Sequence, residues 1–228
     1  MYIMVKLSDR IFKKDVSKNK YLILCYDIMR IIQKDHHAVI CKQKAGELKD
    51  IYERNYVITF SYLMGKEAGK SRLLSDMFVN GELKKEFILY PQNEDYKTRE
   101  KIKPGRMFYC PDFVIHTSHK KTNKKYKGQH IIMEAKTTSG LKKEDFYWDL
   151  FKLNLYIEKL DFDTAVYLIV NTSISDVSAM VDEYNENNYW YTSKIRKLKR
   201  LKNKKEHHIY FLIQESVEKQ PKIYELIL

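Results

Sequence analysis

Two short segments of this sequence carry apolar side chains at consecutive positions and are bounded by charge. Phe113, Val114 and Ile115 follow Asp112 directly, and Ile131, Ile132 and Met133 run straight into Glu134. Successive side chains of a strand point to opposite faces. Strands that are apolar at every position are therefore apolar on both faces. That predicts a sheet covered on both sides, an α/β layering. Charges at the ends of such strands are costly unless they are paired or hold a metal. The linker between the segments is rich in Lys, Asn and Gly, as expected of an exposed hairpin loop.

The surrounding pattern orders the rest. Residues 20–34 place Leu22, Tyr26, Met29 and Ile32 at helical spacing. Residues 44–54 read as helical and Tyr56–Tyr62, apolar and β-branched, as a strand, with a helix as the alternative. Residues 66–79 read as a helix with Leu73, Leu74, Met77 and Phe78 on one side, stopped by Asn80-Gly81. Strands are predicted over 86–91, 107–116, 130–138 and 164–171. A long helix over 143–160 turns Phe146, Leu150, Leu153, Ile157 and Leu160 inward. The order over 66–171 is thus α-β-β-β-α-β. A short helix over 176–187, a basic segment over 194–206, and strands near 208–214 and 222–227 follow. The expected organisation is a core over 66–171, a mostly helical addition over 1–65 and a C-terminal extension over 172–228.

Composition narrows the class. With 228 residues and 44% hydrophobic side chains, the chain is large enough for one α/β domain with appendages. Lys and Arg outnumber Asp and Glu by 42 to 30, a surplus that favours polyanionic partners, nucleic acid before acidic membrane; a merely Lys-rich surface is the plain alternative. No stretch is long and apolar enough to span a membrane, and the amino terminus has no signal-peptide pattern. Cys25, Cys41 and Cys110 are scattered and odd in number, so neither a disulfide framework nor a metal-ligating pair is expected, and a reducing cytoplasm fits best.

Glu134 and Lys136 share one face of their strand, and Asp112 opens the preceding one. If the two strands pair, opposite Cβ atoms lie roughly 5 Å apart, and two carboxylates and an amine converge. Paired carboxylates suit Mg²⁺, which takes one or two of them plus water and phosphate oxygens. An ordinary ion pair to Lys136 at a strand end is the simpler alternative.

Pro111-Asp112 followed by Glu134-Ala135-Lys136 resembles the signature of the PD-(D/E)xK, or restriction-endonuclease-like, phosphodiesterase superfamily. The resemblance covers about residues 66–171. It implies a restriction-endonuclease-like core: a central mixed sheet flanked by helices. It also implies Mg²⁺-dependent cleavage of phosphodiester bonds in DNA, with Mn²⁺ as a substitute. It assigns Asp112, Glu134 and the Ala135 carbonyl to the metal, and Lys136 to the attacking water. A glutamate on the preceding helix is common in the superfamily, and Glu67 is the matching candidate. Some branches carry Q-x-x-x-Y on the helix after the third strand; here Lys152 stands in the Gln position and Tyr156 agrees, and a solvated Lys152 is the plain reading. The Tyr109–Phe113 run is similar to endonuclease subunits of heteromeric transposases, which implies partner DNA-processing subunits; two cuts on a duplex would suit a homodimer instead.

Two basic stretches are candidates for phosphate contacts. Residues 119–127, in the hairpin loop, include Lys120, Lys121, Lys124 and Lys125. Residues 194–205 include Lys197 and Arg200. Solvated surface charge is the alternative for both. Gly65–Ser71 falls one residue short of a phosphate-binding loop. His116 and His130 flank the hairpin and are placed to face one another, and His207-His208 reads as surface. A non-catalytic nucleic-acid-binding module is the rival class; it would need none of Asp112, Glu134 and Lys136.

Overall fold

The structure is a computed structural model, and it describes residues 19–35, 41–44, 47–51, 53–70, 77–81, 110–117, 128–160, 162–186, 208–216 and 218–227. In chain order these form α1 (Lys20–Asp35), β1 (Cys41–Lys44), β2 (Glu47–Ile51), α2 (Glu53–Lys70), β3 (Met77–Gly81) and β4 (Phe113–Thr117). There follow β5 (Gln129–Lys136), α3 (Lys143–Leu160), β6 (Thr164–Val170), α4 (Ile174–Glu186), β7 (His208–Gln214) and β8 (Lys222–Ile227). Strands β1 and β2 make a small antiparallel pair. The other six form one open mixed sheet in the order β3-β4-β5-β6-β7-β8. Strands β5, β6 and β7 are parallel, and antiparallel partners extend them on both sides.

Doubly apolar strands behave as expected. Val114, Ile132, Tyr167 and Phe211 point to one face, where they meet α3 and α4. Phe113, Ile131, Val166 and Leu212 point to the other, which α1 and α2 cover. All seven residues of β6 are buried, as a central parallel strand demands. Phe146 seats α3 on the sheet, its ring 5.3 Å from that of Tyr167 and 6.2 Å from that of Phe211. Side chains start the helices. Asn19 Oδ1 accepts the Leu22 amide of α1 at 3.1 Å, and Ser173 Oγ accepts the Asp176 amide of α4 at 3.1 Å, each satisfying an otherwise orphaned donor. Asn171 takes the turn out of β6 with φ of 65°, a conformation asparagine tolerates better than most residues.

The amino-terminal half departs from the sequence expectation. Tyr56–Tyr62 is helix rather than strand. Tyr56, Phe60, Leu63, Met64 and Ala68 are buried along one stripe of α2, while Ile58 and Tyr62 face solvent. The 3.6-residue period outweighs the β-branched composition. Glu47–Ile51 is strand rather than helix, and Met77–Gly81 is an edge strand paired with β4 rather than the end of a helix over 66–79. The expected strand over 86–91 lies outside the described residues. From α2 to β6 the order is still helix, three strands, helix, strand, but built from different first segments. The expected boundary at residue 65 falls inside α2, and both α1 and α2 belong to the sheet's cover. Strands β7 and β8 likewise continue the same sheet. Among the described residues no helix is long and apolar enough to cross a membrane.

Candidate active site

The chemistry-bearing residues gather where the sheet changes from antiparallel to parallel, at the carboxyl end of β5. In open α/β sheets ligands commonly bind beyond the carboxyl ends of the parallel strands. Pairing of Phe113 with Met133 places Asp112 opposite Glu134. Two bonds fix that corner: the Asp112 amide donates to the Met133 carbonyl at 3.1 Å, and the Ala135 amide donates to Asp112 Oδ2 at 2.8 Å. Asp112, Glu134 and Lys136 alternate in phase with Val114 and Ile132, so they share the face covered by α3.

Helix α3 answers them with charges of its own. Asp149, Lys152 and Tyr156 recur at helical spacing on its inward side, and all are buried. The Lys152 ammonium lies 2.6 Å from Glu134 Oε2 and 2.9 Å from Asp149 Oδ1. Asp149 Oδ2 receives the Tyr167 hydroxyl at 3.1 Å and the Lys136 ammonium at 3.2 Å. Lys136 also donates to both carboxylate oxygens of Glu53, at 3.2 and 3.3 Å, and to the Ala135 carbonyl at 3.0 Å. Glu53 stands in the first turn of α2, where the helix dipole favours a carboxylate. Asp149 thus bridges the two lysines, and each lysine bridges it to a second carboxylate.

Burial governs the electrostatics. It pushes the Glu134 carboxyl well above the usual carboxylate range against the pull of Lys152. Asp112 and Glu53 are raised too, again by burial, with Lys136 the chief opposing charge. Asp149 moves the other way: burial opposes ionisation, but Lys152 and Lys136 outweigh it and hold the carboxyl low. Burial alone would lower both lysines; Asp149 leads the neighbouring carboxylates that hold them above the ordinary lysine value. Both therefore remain ammonium groups at neutral pH.

Three of the sequence candidates, Asp112, Glu134 and Lys136, come together. Ala135 joins them differently from expectation, since its amide holds Asp112 while its carbonyl accepts from Lys136. Glu67 does not join them. It sits near the far end of α2, roughly 21 Å along the axis from Glu53 at the α-helical rise, and pairs with Lys70 at 2.5 Å. Glu53 is the helix glutamate of the site. Lys152 is buried and doubly paired rather than solvated. Asp149 escaped notice, although its place on the face that carries Phe146, Leu150 and Leu153 was a readable signal. His116 stands opposite Gln129, not His130. His130 bonds Thr117 Oγ1 at 2.8 Å and Asp163 Oδ2 at 3.3 Å, and stacks on Tyr21.

Lys120, Lys121, Lys124, Lys125, Lys197 and Arg200 lie outside the described residues. Their points of attachment do not. The 118–127 loop leaves the sheet at Thr117 and returns at Gly128, whose carbonyl accepts the Thr117 amide at 2.8 Å. That end is five residues from Asp112, roughly 16 Å along the strand. The 187–207 segment re-enters at His208, at the same end of the sheet. Both basic stretches are thus rooted at the end of the sheet opposite the carboxylates.

Compared with protein-family models, curated proteins and solved structures, the chain matches none.

One atom bears on whether the residues suit a divalent cation. Glu134 Oε1 is buried and has no hydrogen-bond partner among the described residues. A bare carboxylate oxygen in such surroundings is costly unless a proton or a cation takes it. Glu53, Asp112, Glu134 and Asp149, when ionised, exceed the two ammonium groups by two negative charges, which one divalent ion neutralises. No group of three or more His, Cys, Asp or Glu side chains among the described residues is arranged to enclose a metal by itself. The ligands would be Asp112 and Glu134, completed by water or phosphate oxygens, a set that suits Mg²⁺.

Proposed function

We propose that this chain is a Mg²⁺-dependent endonuclease that hydrolyses phosphodiester bonds in DNA, in the manner of the PD-(D/E)xK enzymes its motif resembles. The observation that carries the reading is Asp112 facing Glu134 across paired strands, with Glu134 Oε1 bare and buried and Lys136 alongside. The helix-strand-strand-strand-helix-strand order from α2 to β6 supports it, as does the mixed sheet with helices on both faces. The surplus of basic residues fits a polyanionic substrate.

The roles follow from the chemistry of each group. Asp112 and Glu134 would hold the metal, which when bound supplies charge neutralisation at the phosphate and acidifies a coordinated water. Lys136 stays protonated, so it acts as a positive charge beside the attacking water and the developing phosphorane, not as a base. Asp149 and Glu53 aim that ammonium from two sides. Phosphoryl transfer is mostly positioning and electrostatics, and this site offers both.

The test incubates the chain with linear, circular and single-stranded DNA, with Mg²⁺, with Mn²⁺ and with neither. Metal-dependent cleavage that Asp112→Ala and Lys136→Ala abolish while DNA binding persists is the expected result. Binding with no cleavage under any metal would assign the chain to non-catalytic nucleic-acid binding. Cleavage at the wild-type rate in Asp112→Ala would remove this carboxylate from the chemistry.

A further inference from the structure

The site contains a cation that metal-dependent phosphoryl transfer does not itself require. Lys152 has a side chain only 8% exposed and is clamped between Glu134 Oε2 and Asp149 Oδ1. An amide side chain would donate to the same Glu134 oxygen without the cost of desolvating an ammonium, which is several kcal/mol before its partners offset it. The similar Q-x-x-x-Y pattern has an amide at this place. What lysine adds is therefore charge, placed on the carboxylate oxygen next to the bare one.

We propose that Lys152 is a positioning residue and resident counter-cation of the metal site: it grips Glu134 by Oε2, leaves Oε1 to the ion, and weakens divalent-ion binding until a phosphodiester arrives. This rests on the metal-dependent reading above. With all four carboxylates ionised and both lysines charged, the empty site carries two negative charges. A divalent ion brings it to neutrality, and a phosphodiester then enters a neutral site. With a neutral residue at position 152 and the same four carboxylates ionised, the site carries three negative charges. It would take the ion more tightly, and the loaded site would keep one negative charge that repels the phosphate. The two effects have opposite signs, which damaged packing alone would not produce.

The experiment titrates Mn²⁺ and Ca²⁺ into the full chain by calorimetry without DNA, for wild type, Lys152→Gln, Asp149→Asn and, as a site control, Asp112→Asn. Ca²⁺ takes the same hard oxygen ligands as Mg²⁺. Lys152→Gln should bind the ion at least about tenfold more tightly, since a unit charge this close, even at an effective dielectric of about 20, is worth more than that. The gain in affinity for a labelled DNA duplex on adding Ca²⁺ should be smaller in Lys152→Gln than in wild type. Asp149→Asn, which leaves one fewer negative charge, should weaken ion binding about tenfold and keeps the test decisive if Lys152→Gln fails to fold. Ion affinity in a folded Lys152→Gln that equals or falls below wild type would overturn the proposal and leave the metal site standing, as would an unchanged affinity in Asp149→Asn. Ion binding by neither wild type nor Lys152→Gln would overturn the metal reading itself.

Discussion

Asp149 is the residue on which the buried network turns, and its removal has a calculable cost. Its carboxylate, on a side chain 4% exposed, accepts from Lys152 at 2.9 Å, Lys136 at 3.2 Å and Tyr167 at 3.1 Å. Asp149→Ala leaves one ammonium with only Glu134 and the other with Glu53 and a peptide carbonyl, and strands the Tyr167 hydroxyl. Removing one partner from a buried ion pair costs about 3–5 kcal/mol. For a chain of this size 1 kcal/mol moves the melting temperature by about 2–4 °C, so Asp149→Ala should melt about 6–20 °C below wild type. Asp149→Asn keeps the shape and an acceptor for Tyr167 but loses the charge, and should cost about 1.5–3 kcal/mol. The exposed pair of Lys70 with Glu67 is the internal control: Lys70→Ala should change stability by less than about 1 kcal/mol. Urea denaturation followed by circular dichroism, with thermal melts of the same variants, measures all three. If Asp149→Ala unfolds within about 2 °C of wild type, the two lysines are not held as described and the reasoning fails.

Other consequences follow from the same residues. Glu53, Asp112 and Glu134 have raised carboxyl pKa values in the folded state, so they bind protons more readily folded than unfolded. Their contribution to stability is complete below the unfolded range near ~4 and is lost as pH rises through the folded values. The metal-free chain in EDTA should therefore melt higher at pH 5 than at pH 8, and Glu134→Gln should flatten that difference; a melt that rises toward pH 8 would contradict the directions given. Glu53→Ala should reduce cleavage strongly while Glu67→Ala stays within about twofold of wild type; the reverse order in a cleavage assay would restore Glu67 to the site. Neutralising the lysines of 119–127 should reduce DNA affinity and its salt slope, by up to about one unit per lost phosphate contact, with little change in the single-turnover cleavage rate, because the loop is rooted far from Asp112. An unchanged slope would make those lysines plain surface charge.

The sequence made the central strands and the long helix readable because their signals were redundant. Strands β4 and β5 are apolar on both faces, and α3 sustains a helical period over 18 residues with Phe146, Leu150, Leu153, Ile157 and Leu160 on one side. Asp112, Glu134 and Lys136 were legible because strand alternation, a pairing register and charge at strand ends all agreed. Tyr56–Tyr62 is β-branched and apolar together, so local composition favours a strand over the helix that packing on Phe113 selects; Phe60 meets that ring edge-on at 5.4 Å. A helix read over 66–79 offers Glu67 as its first-turn glutamate, whereas the observed helix Glu53–Lys70 begins at Glu53. Lys152 was visible as a departure from a pattern, but nothing local distinguishes a buried lysine from a solvated one. Its burial depends on Glu134, eighteen positions earlier in the chain, and on Asp149.

A network of this kind is poor evidence of stability, and that is what ties it to function. Buried ion pairs often do no better than well-packed apolar residues of the same volume, and frequently do worse. The strands around Glu134 and the helix around Asp149 and Lys152 are otherwise filled with Val, Ile, Leu, Phe and Tyr. A chain selected only to fold would be expected to continue that filling through positions 134, 149 and 152. Instead it buries two carboxylates and an ammonium there, leaves one carboxylate oxygen without a partner among the described residues, and turns Asp112 and Lys136 toward the same place. Destabilising polar groups persist where activity requires them. When all four carboxylates are ionised, their excess of two negative charges matches what a divalent ion would bring, and the ammonium of Lys136 remains charged beside it. On the proposed function that positive charge would lie next to a phosphate, and the cost in stability falls at the end of the sheet where it would be used.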